Sequence, residues 1–290
     1  MFTIQALKYR RSVEFLTLEA VINAEAKALQ RISGLMQRVL IVDPMPASTK
    51  LLSALLRDIC YCQIWTAHDA PRGLLLAEKT DPFIVFVEHC HGLDGVAFTR
   101  ALRRSDFGCR KAPLILIAAE ATASSIIAAR DAGVHEFLRK PFTIKDLMRR
   151  LEAVAVRPRD WIEGVAYVGP DRRRFNSGDY AGPLKRRVDH AATPDQARIV
   201  QAVKILKAAL AAVDHDPRQA LRAMQAQAED LAQAARATAD PKLGAAAVAL
   251  ASRLAGLIPT QLRFADLEPV LEPFWSWLPA DEAPKRSAAA

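Results

Sequence analysis

The densest run of positive charge in the chain has residue types that could bind an anion. Between Arg172 and Arg187, six basic side chains accompany a single acid, Asp179. An arginine guanidinium is a planar fork that matches phosphate in a bidentate manner. We therefore expect this segment to bind an anionic ligand or partner.

A second group of side chains has the types that bind zinc, because thiolate and imidazole are its usual ligands. Its members are Cys60, Cys62, His89, Cys90, His91 and Cys109. The first two precede one predicted strand, whereas the three around Cys90 follow another. In parallel strands those ends lie on opposite edges of the sheet, so we expect no metal site.

The elements that must position these residues are predicted by hydrophobic patterning. Five continuous apolar runs are typical of strands buried on both faces, and helical patterns lie between them. The strands are predicted at 38–43, 63–67, 83–88, 113–119 and 135–140, and the helices at 47–59, 71–79, 95–104, 121–132 and 143–154. The strict alternation of strands and helices predicts an α/β fold with a five-stranded, doubly wound parallel sheet. Functional sites are expected at the carboxyl ends of its strands.

A different pattern follows in the last third of the chain. Three predicted helices begin with a capping residue and a proline, at Thr193-Pro194, Asp216-Pro217 and Asp240-Pro241. Proline is favoured at the first helical position because its missing N–H has no partner there in any case. We expect a small all-α helical bundle, closed by the aromatic segment PFWSWL at 273–278.

These patterns divide the chain into five segments. They are an amphipathic N-terminal extension (1–36), the α/β domain (37–154), a connector rich in Arg, Pro and Gly (155–193), the helical bundle (194–279) and a disordered tail (280–290). The connector shows neither the hydrophobic period of a strand nor that of a helix. We expect Trp161, Ile162 and Tyr167 to anchor it. The extension is either a coupling helix or sequence upstream of a start at Met36.

Composition limits the classes of protein to which the chain can belong. Hydrophobic residues make up 51% and charged residues 25%, which is the balance of a globular protein. Four cysteines do not form a disulfide scaffold, and no long uncharged apolar run is present. We expect a cytoplasmic protein without a membrane span.

The net charge of +8 suggests nucleic acid, but its distribution does not. Residues 194–290 contain 11 basic and 11 acidic side chains. A DNA-binding domain normally presents a basic face, because phosphate neutralisation supplies much of its affinity. We therefore do not expect sequence-specific DNA binding.

Residues 38–153 resemble the receiver domain of response regulators, the CheY-like family of two-component signalling. The resemblance rests on the VLIVD run that ends at Asp43, the Leu93-Asp94-Gly95 turn, and AGVHEFLRKPF at 132–142. It implies a flavodoxin-like strand order and a phosphate-accepting aspartate. It also implies a Mg²⁺ site formed by two further acids, a hydroxyl that follows the phosphoryl group, and a lysine that binds it.

The chain matches only part of that site. Asp43 matches one acid, Lys140 matches the lysine and Phe137 matches the aromatic switch residue. Pro44 stands where the second acid is expected, and Ala118 replaces the switch hydroxyl. Because Mg²⁺ needs hard oxygen ligands in near-octahedral array, we do not expect it to bind.

The phosphate-accepting position is ambiguous by one residue and is aspartate in neither case. Counting from Asp94 gives Val87, whereas counting from the strand start gives Glu88. Glu88 could place a permanent carboxylate near Lys140, and this ion pair would lock one conformation. Alternatively, Glu88 only compensates the charge of Lys140, in a vestigial site that no partner reads.

The connector has a second resemblance. GPDRRR at 169–174 resembles the arginine-rich tail of certain alphaproteobacterial CheY-like proteins, some of which bind cyclic di-GMP through it. The candidate anion-binding or nucleotide-binding residues are Asp171, Arg172, Arg173, Arg174, Arg186 and Arg187. Protein docking and a solvated turn are alternatives for the same residues.

Together these features predict a signalling protein that is not an enzyme. We expect a phosphorylation-independent, receiver-like adaptor that docks a signalling partner through its receiver face or its helical bundle. The sequence leaves the oligomeric state open, and a homodimer is one alternative. The alternative is a phosphorylatable response regulator that accepts phosphate from a histidine kinase.

Overall fold

A computed structural model describes residues 27, 29–172, 193–279, 281 and 282. These residues fall into two compact units. The sheet unit contains the described residues up to 161 together with 169–172, and the helical unit contains 162–168 and the described residues from 193 onward.

The sheet unit is built on five parallel strands, as the patterning predicted. They are β1 (Arg38–Val42), β2 (Gln63–Ala67), β3 (Ile84–His89), β4 (Leu114–Ala118) and β5 (Glu136–Arg139), in the spatial order β2-β1-β3-β4-β5. Strand order reverses between β1 and β3, and ligands of such sheets bind beyond the carboxyl ends at this point. The expected doubly wound, flavodoxin-like order is confirmed.

Helices cover both faces of this sheet. One face carries α3 (Ala70–Thr80), α4 (Gly95–Arg104) and α5 (Ala123–Ala132), and the other carries α2 (Pro46–Ile59) and α6 (Ile144–Val156). The central strands are buried on both faces, because alternate residues of each strand enter different cores.

A short helix precedes the first strand on the same face as α2 and α6. This helix, α1 (residues 29–36), places Ile32 and Met36 in the core, where they are 2% and 0% exposed. Arg31 also donates to the carbonyl of Val156 at the end of α6. The last residues of the N-terminal extension are therefore part of the packed unit.

The connector contains regular structure that the sequence did not predict. Two short strands, β6 (Trp161–Glu163) and β7 (Val168–Pro170), pair with each other. The hydrophobic pattern gave no sign of them, because three-residue strands are too short to show a period.

The first part of the connector is held against the sheet unit by cations. The Trp161 ring centroid lies 5.4 Å from the guanidinium carbon of Arg103. It lies 5.9 Å from the guanidinium carbon of Arg110 and 5.9 Å from Nζ of Lys111. Arg159 donates to the backbone carbonyl of His135 and lies within ion-pair distance of a Glu136 oxygen. Trp161 therefore anchors the connector, as its aromatic character suggested.

The helical unit begins each of its three longest helices where the proline signature predicted. These are α7 (Pro194–Ala211), α8 (Pro217–Thr238) and α9 (Pro241–Leu254), and the side chains of Thr193, Asp216 and Asp240 cap them. A shorter helix, α10 (Phe264–Leu271), and a 3₁₀ segment (Glu272–Trp277) close the bundle through buried Phe274. None of the described helices is both long enough and apolar enough to cross a bilayer.

A buried polar contact fixes the connector segment 162–168 to α8. Gln219 donates from Nε2 to a Glu163 carboxylate oxygen at 2.7 Å and to the Gly164 carbonyl at 3.1 Å. Gln227 donates to the Glu163 carbonyl at 3.4 Å. All three side chains are less than 5% exposed, so this segment is an integral part of the helical unit.

A fully buried arginine organises the amino-terminal end of the sheet. Arg103 donates to the carbonyls of Gly133, Arg110 and Ala112 and lies 3.0 Å from Nδ1 of His135. Burial, followed by the charges of Arg103 and Arg159, lowers the pKa of His135 well below its ordinary value. His135 is therefore neutral in the folded protein at neutral pH.

We expect His135→Asn to weaken the acid sensitivity of the sheet unit. The unfolded state takes up a proton near pH 6.5 and the folded state does so only at lower pH, so stability falls as pH drops below that value. The free energy of unfolding falls by at most about 1.4 kcal/mol for each pH unit of acidification. Amide exchange of β4 and β5 between pH 7.5 and 5 should show a smaller slope in the variant. Exposed His215→Asn is the control, and equal slopes in the wild type and His135→Asn would contradict the prediction.

Candidate functional site

Two carboxylates meet at the switch point of the sheet. Val42 pairs with Val87 in the parallel register of β1 and β3, so Asp43 and Glu88 are the next residues of neighbouring strands. Val87 enters the core with 0% exposure, and Glu88 faces the opposite way. Of the two candidate positions, Glu88 is the one that lies beside Asp43, whereas Val87 lies in the core.

Lys140 occupies the space between these carboxylates. Its Nζ lies 2.6 Å from Oε2 of Glu88 and 3.7 Å from Oδ2 of Asp43. It also donates to Oγ of Ser48, in the first turn of α2, at 2.9 Å. Its side chain is 28% exposed, whereas that of Glu88 is 5% exposed, so Lys140 is the more solvent-accessible partner of the pair.

The other oxygen of Asp43 is engaged by the backbone. Oδ1 accepts a hydrogen bond from the amide of Met45 at 2.7 Å, which turns the chain into α2. Pro44 lies between them and has neither a side-chain oxygen nor an N–H. Asp43 thus serves as a turn residue and as an ion-pair partner.

Burial dominates the electrostatics of Glu88. It raises the pKa of the Glu88 carboxyl, and the neighbouring charge of Asp43 raises it further, whereas Lys140 lowers it. The net direction is upward. The pair is therefore a partly compensated buried interaction rather than a surface salt bridge.

Ala118 and Phe137 line the same end of the sheet without supplying a polar group. Ala118 is 2% exposed and its carbonyl accepts from the amide of Lys140 at 2.8 Å, which aligns the ends of β4 and β5. Phe137 is 4% exposed and packs in the core under α3, α4 and α5. The aromatic ring is thus directed inward.

The turn after β3 supports Glu88 through close backbone packing. Asp94 caps α4 by accepting from the amides of Val96 and Ala97. A Cβ on Gly95 would lie 2.5 Å from the carbonyl oxygen of Glu88. Glycine is needed here because the helix start rests directly on the backbone of Glu88.

Only the first two residues of the arginine-rich candidate site are described. Asp171 donates from its amide to the carbonyl of Asp160, and Arg172 forms a 2.9 Å ion pair with Asp131 at the end of α5. Burial acts to raise the pKa of Asp131, but Arg130 and Arg172 outweigh it and the pKa is lowered. Arg173, Arg174, Arg186 and Arg187 lie outside the described residues.

The zinc-type side chains are spread along the sheet unit as four free cysteines and separate histidines. Cys62 and Cys109 are buried, and burial raises the pKa of both thiols, that of Cys109 to about 11. Nδ1 of His89 lies 3.5 Å from Asp94. No group of three or more metal-ligating side chains occurs in the part of the chain that the structure describes.

Comparison with known proteins identifies this unit. Residues 39–152 match the model of the response regulator receiver domain. The chemotaxis protein CheY of Pseudomonas aeruginosa is 31% identical over 118 residues, which cover 40% of this chain and 94% of that protein. The chain belongs to the response regulator receiver family.

Other similar proteins match the same receiver domain. CheY-3 of Vibrio cholerae is 29% identical over 138 residues, which cover 47% of this chain and 97% of CheY-3. The crystal structure of CheY4 from Vibrio cholerae is 24% identical, covers 41% of this chain and 98% of its own, and gives a TM-score of 0.38. A receiver domain indicates two-component signalling, and the matched relatives are themselves signalling proteins.

Sequence reasoning missed one contributor to the receiver pocket. Ser48 binds Lys140, but a serine in the first turn of a helix carries no signal that separates it from an ordinary N-terminal residue. The structure brings Asp43, Glu88 and Lys140 together with Ser48. Ala118 lies at the same edge, and Phe137 lies beneath it.

We expect Lys140→Met to destabilise the receiver unit by about 3 kcal/mol, because it leaves two buried carboxylates without a cation. Glu88→Gln should cost only about 1 kcal/mol, since Lys140 keeps Asp43 and Ser48. Amide exchange of β1 and β3 measures the loss of unfolding free energy in each variant. The double variant Lys140→Met, Glu88→Gln then gives the coupling free energy between the two residues.

The pH dependence gives a second check on the same variants. A carboxyl whose folded pKa is raised contributes stability that is complete below its ordinary range and is lost as pH rises through the raised value. The loss in Lys140→Met should therefore shrink on acidification. A loss independent of pH would show that the ion pair does not stabilise the fold, and equal losses in both single variants would contradict the expected asymmetry.

Proposed function

We propose that this receiver is a phosphorylation-independent adaptor of two-component signalling, whose pocket is held in one state by an internal ion pair. The observation that carries the proposal is the 2.6 Å contact between Nζ of Lys140 and Glu88. Glutamate stands at the end of β3, where the resemblance implies the phosphate-accepting aspartate.

The ion pair replaces the chemistry that a phosphoryl group would bring. A phosphorylated aspartate presents negative charge to the lysine only while it is modified. Glu88 presents its carboxylate permanently, and its longer side chain reaches Lys140 directly. With Ala118 in place of the hydroxyl, the strand β4 has no side-chain donor for a phosphoryl oxygen.

The oxygen donors of the pocket do not fit Mg²⁺. Mg²⁺ requires near-octahedral oxygen ligands at 2.0–2.1 Å. Pro44 supplies none, Oδ1 of Asp43 accepts the amide of Met45, and the ammonium of Lys140 stands against both carboxylates. A divalent cation would have to displace Lys140 and would still lack one acid.

An adaptor needs a surface for its partner. The region around β4, β5 and α6 presents exposed Arg139, Lys145 and Arg149, and Ile127 of α5 is 48% exposed. A fixed pocket would keep this surface in a single state, so binding of a signalling protein would not depend on a kinase.

We expect the full chain to gain no phosphoryl group when it is incubated with acetyl phosphate and Mg²⁺, as measured by intact mass. The control is the triple variant Pro44→Asp, Glu88→Asp, Ala118→Thr, which restores the missing oxygens. It should gain one phosphoryl group that is lost on mild base treatment. A phosphoryl adduct on the wild-type chain would instead support a response regulator that accepts phosphate from a histidine kinase.

A finer proposal concerns the connector, which we assign to cyclic di-GMP. The support is its charge, six basic side chains with one acid between Arg172 and Arg187. Arg172 already engages a carboxylate at an exposed position, so a phosphate could replace Asp131 there.

Titration calorimetry tests this assignment directly. We expect micromolar binding of cyclic di-GMP by the full chain and loss of the heat in Arg172→Ala, Arg173→Ala. The pair Arg236→Ala, Arg253→Ala removes the same charge from exposed positions of the helical unit and should bind normally. An absence of heat with the wild type, or equal weakening in both pairs, would remove the ligand from the proposal.

A further inference from the structure

The strand β2 forms one edge of the five-stranded sheet. Among the described residues it pairs with β1 alone, in parallel register. The amide of Gln63 donates to the carbonyl of Gln37, and the carbonyl of Ala67 accepts from the amide of Asp43. Successive residues of a strand turn their backbone groups to opposite sides, so Trp65 between them also faces β1.

The backbone groups of the alternate residues, Ile64 and Thr66, face away from the sheet. No described residue forms a hydrogen bond with the amides or carbonyls of these two residues. A row of outward N–H and C=O groups at a sheet edge is the pattern to which a further strand adds.

The β2 edge lacks the usual barriers to such pairing, which are charged side chains, proline and bulges. Residues 61–67 contain no charged residue and no proline. Tyr61 is 90% exposed before the strand, and Thr66 is exposed within it. Ile64 and Trp65 are half-buried and pack against the cores on opposite faces of the sheet. The edge is therefore neutral, and its outward backbone groups are its main polar feature.

The other edge of the same sheet, β5, is protected. Glu136 and Arg139 place charges at its two ends, and Pro141 follows two residues later. Arg159 of the connector donates to the carbonyl of His135 at the start of this strand. Of the two edges, β2 is thus the one that is open to another strand.

The β2 edge is complementary to a second copy of itself. In an antiparallel pair, opposite residues whose backbone groups face each other exchange two hydrogen bonds. A two-fold axis at Trp65 places Ile64 opposite Thr66 of the second copy, and Thr66 opposite its Ile64. Trp65 then faces Trp65, and aromatic pairs across antiparallel strands stabilise a sheet. Because residues 61–67 are neutral, no like charges meet in this arrangement.

The helix α3 adds a second layer to the same contact. It packs over β1 and β2, on the face of the sheet where Trp65 lies. Strands lie about 4.8 Å apart, so α3 stands about one strand spacing from the two-fold axis. Two copies of α3 would then lie about 10 Å apart, which is a usual distance between packed helices. The two Trp65 side chains would lie beneath them.

We propose that the chain forms a homodimer through β2, in which Ile64 and Thr66 pair with the same residues of a second copy. The antiparallel contact joins two five-stranded sheets into one continuous sheet and places the two receiver pockets on opposite borders of it. In each copy β5 stays at the far end.

This dimer has a consequence for binding. The surface around β4, β5 and α6 stays accessible in both copies, so the dimer presents it twice. Two linked sites bind a clustered or bivalent partner more tightly than one site does. The contact forms whether or not the pocket accepts phosphate, so it stands or fails separately from the proposed function.

Sedimentation equilibrium and amide exchange of the full chain test the proposal together. We expect the mass to rise from one copy to two as protein concentration increases. The amides of Ile64 and Thr66 should exchange at least about tenfold more slowly in the dimer than in the dilute monomer. The amides of Gln63 and Trp65 face β1 and should be protected at every concentration.

A backbone substitution tests the hydrogen bonds themselves. Thr66→Pro removes an outward N–H but no bond to β1, and proline is tolerated where the N–H of an edge strand faces solvent. Each dimer loses two hydrogen bonds, so its dissociation constant should rise at least about tenfold. Thr66→Val is the matched control, because it keeps the amide and the branched shape and should dimerise normally.

The exchange measurement needs no variant, so the proposal stays testable even if Thr66→Pro fails to fold. Protection of Ile64 and Thr66 that does not depend on concentration would overturn the dimer in favour of pairing within one chain. A dimer in which these two amides stay unprotected would place the interface elsewhere. A monomer at all concentrations, or normal dimerisation of folded Thr66→Pro, would also contradict the proposal.

Discussion

The contact between Lys140 and Glu88 is the interaction on which the receiver pocket depends. Two carboxylates less than 7% exposed would be costly at the end of a parallel sheet unless a cation accompanied them. The ammonium satisfies both and ties Ser48 of α2 to the end of β5. The same contact that compensates the two buried carboxylates therefore also fixes the end of β5 relative to the start of α2.

The sheet was predictable from sequence because burial on both faces forces continuous apolar runs, such as the one that ends at Val42. The helix starts of the second unit were equally clear, since Thr193, Asp216 and Asp240 each cap a helix that opens with proline. In these cases the local pattern and the final structure obey the same constraint. Asp43 and Lys140 followed from the resemblance to the receiver family.

Other features depend on contacts between distant residues and left no local pattern. Arg103 was predicted only as part of an amphipathic helix, yet its guanidinium is buried because three backbone carbonyls and His135 surround it. The choice between Val87 and Glu88 likewise required the register of β1 and β3. The strands β6 and β7 escaped prediction because their pairing, rather than their composition, defines them.

The packing of α1 changes where this domain can be said to start. The family model begins at residue 39, but Ile32 and Met36 lie upstream and are buried in the same core as residues of α2 and α6. A recombinant fragment that began at residue 39 would lack two side chains of this core, Ile32 and Met36, which are 2% and 0% exposed. Domain borders taken from shorter relatives therefore underestimate the cooperative folding unit of this chain by at least a helical turn and a half.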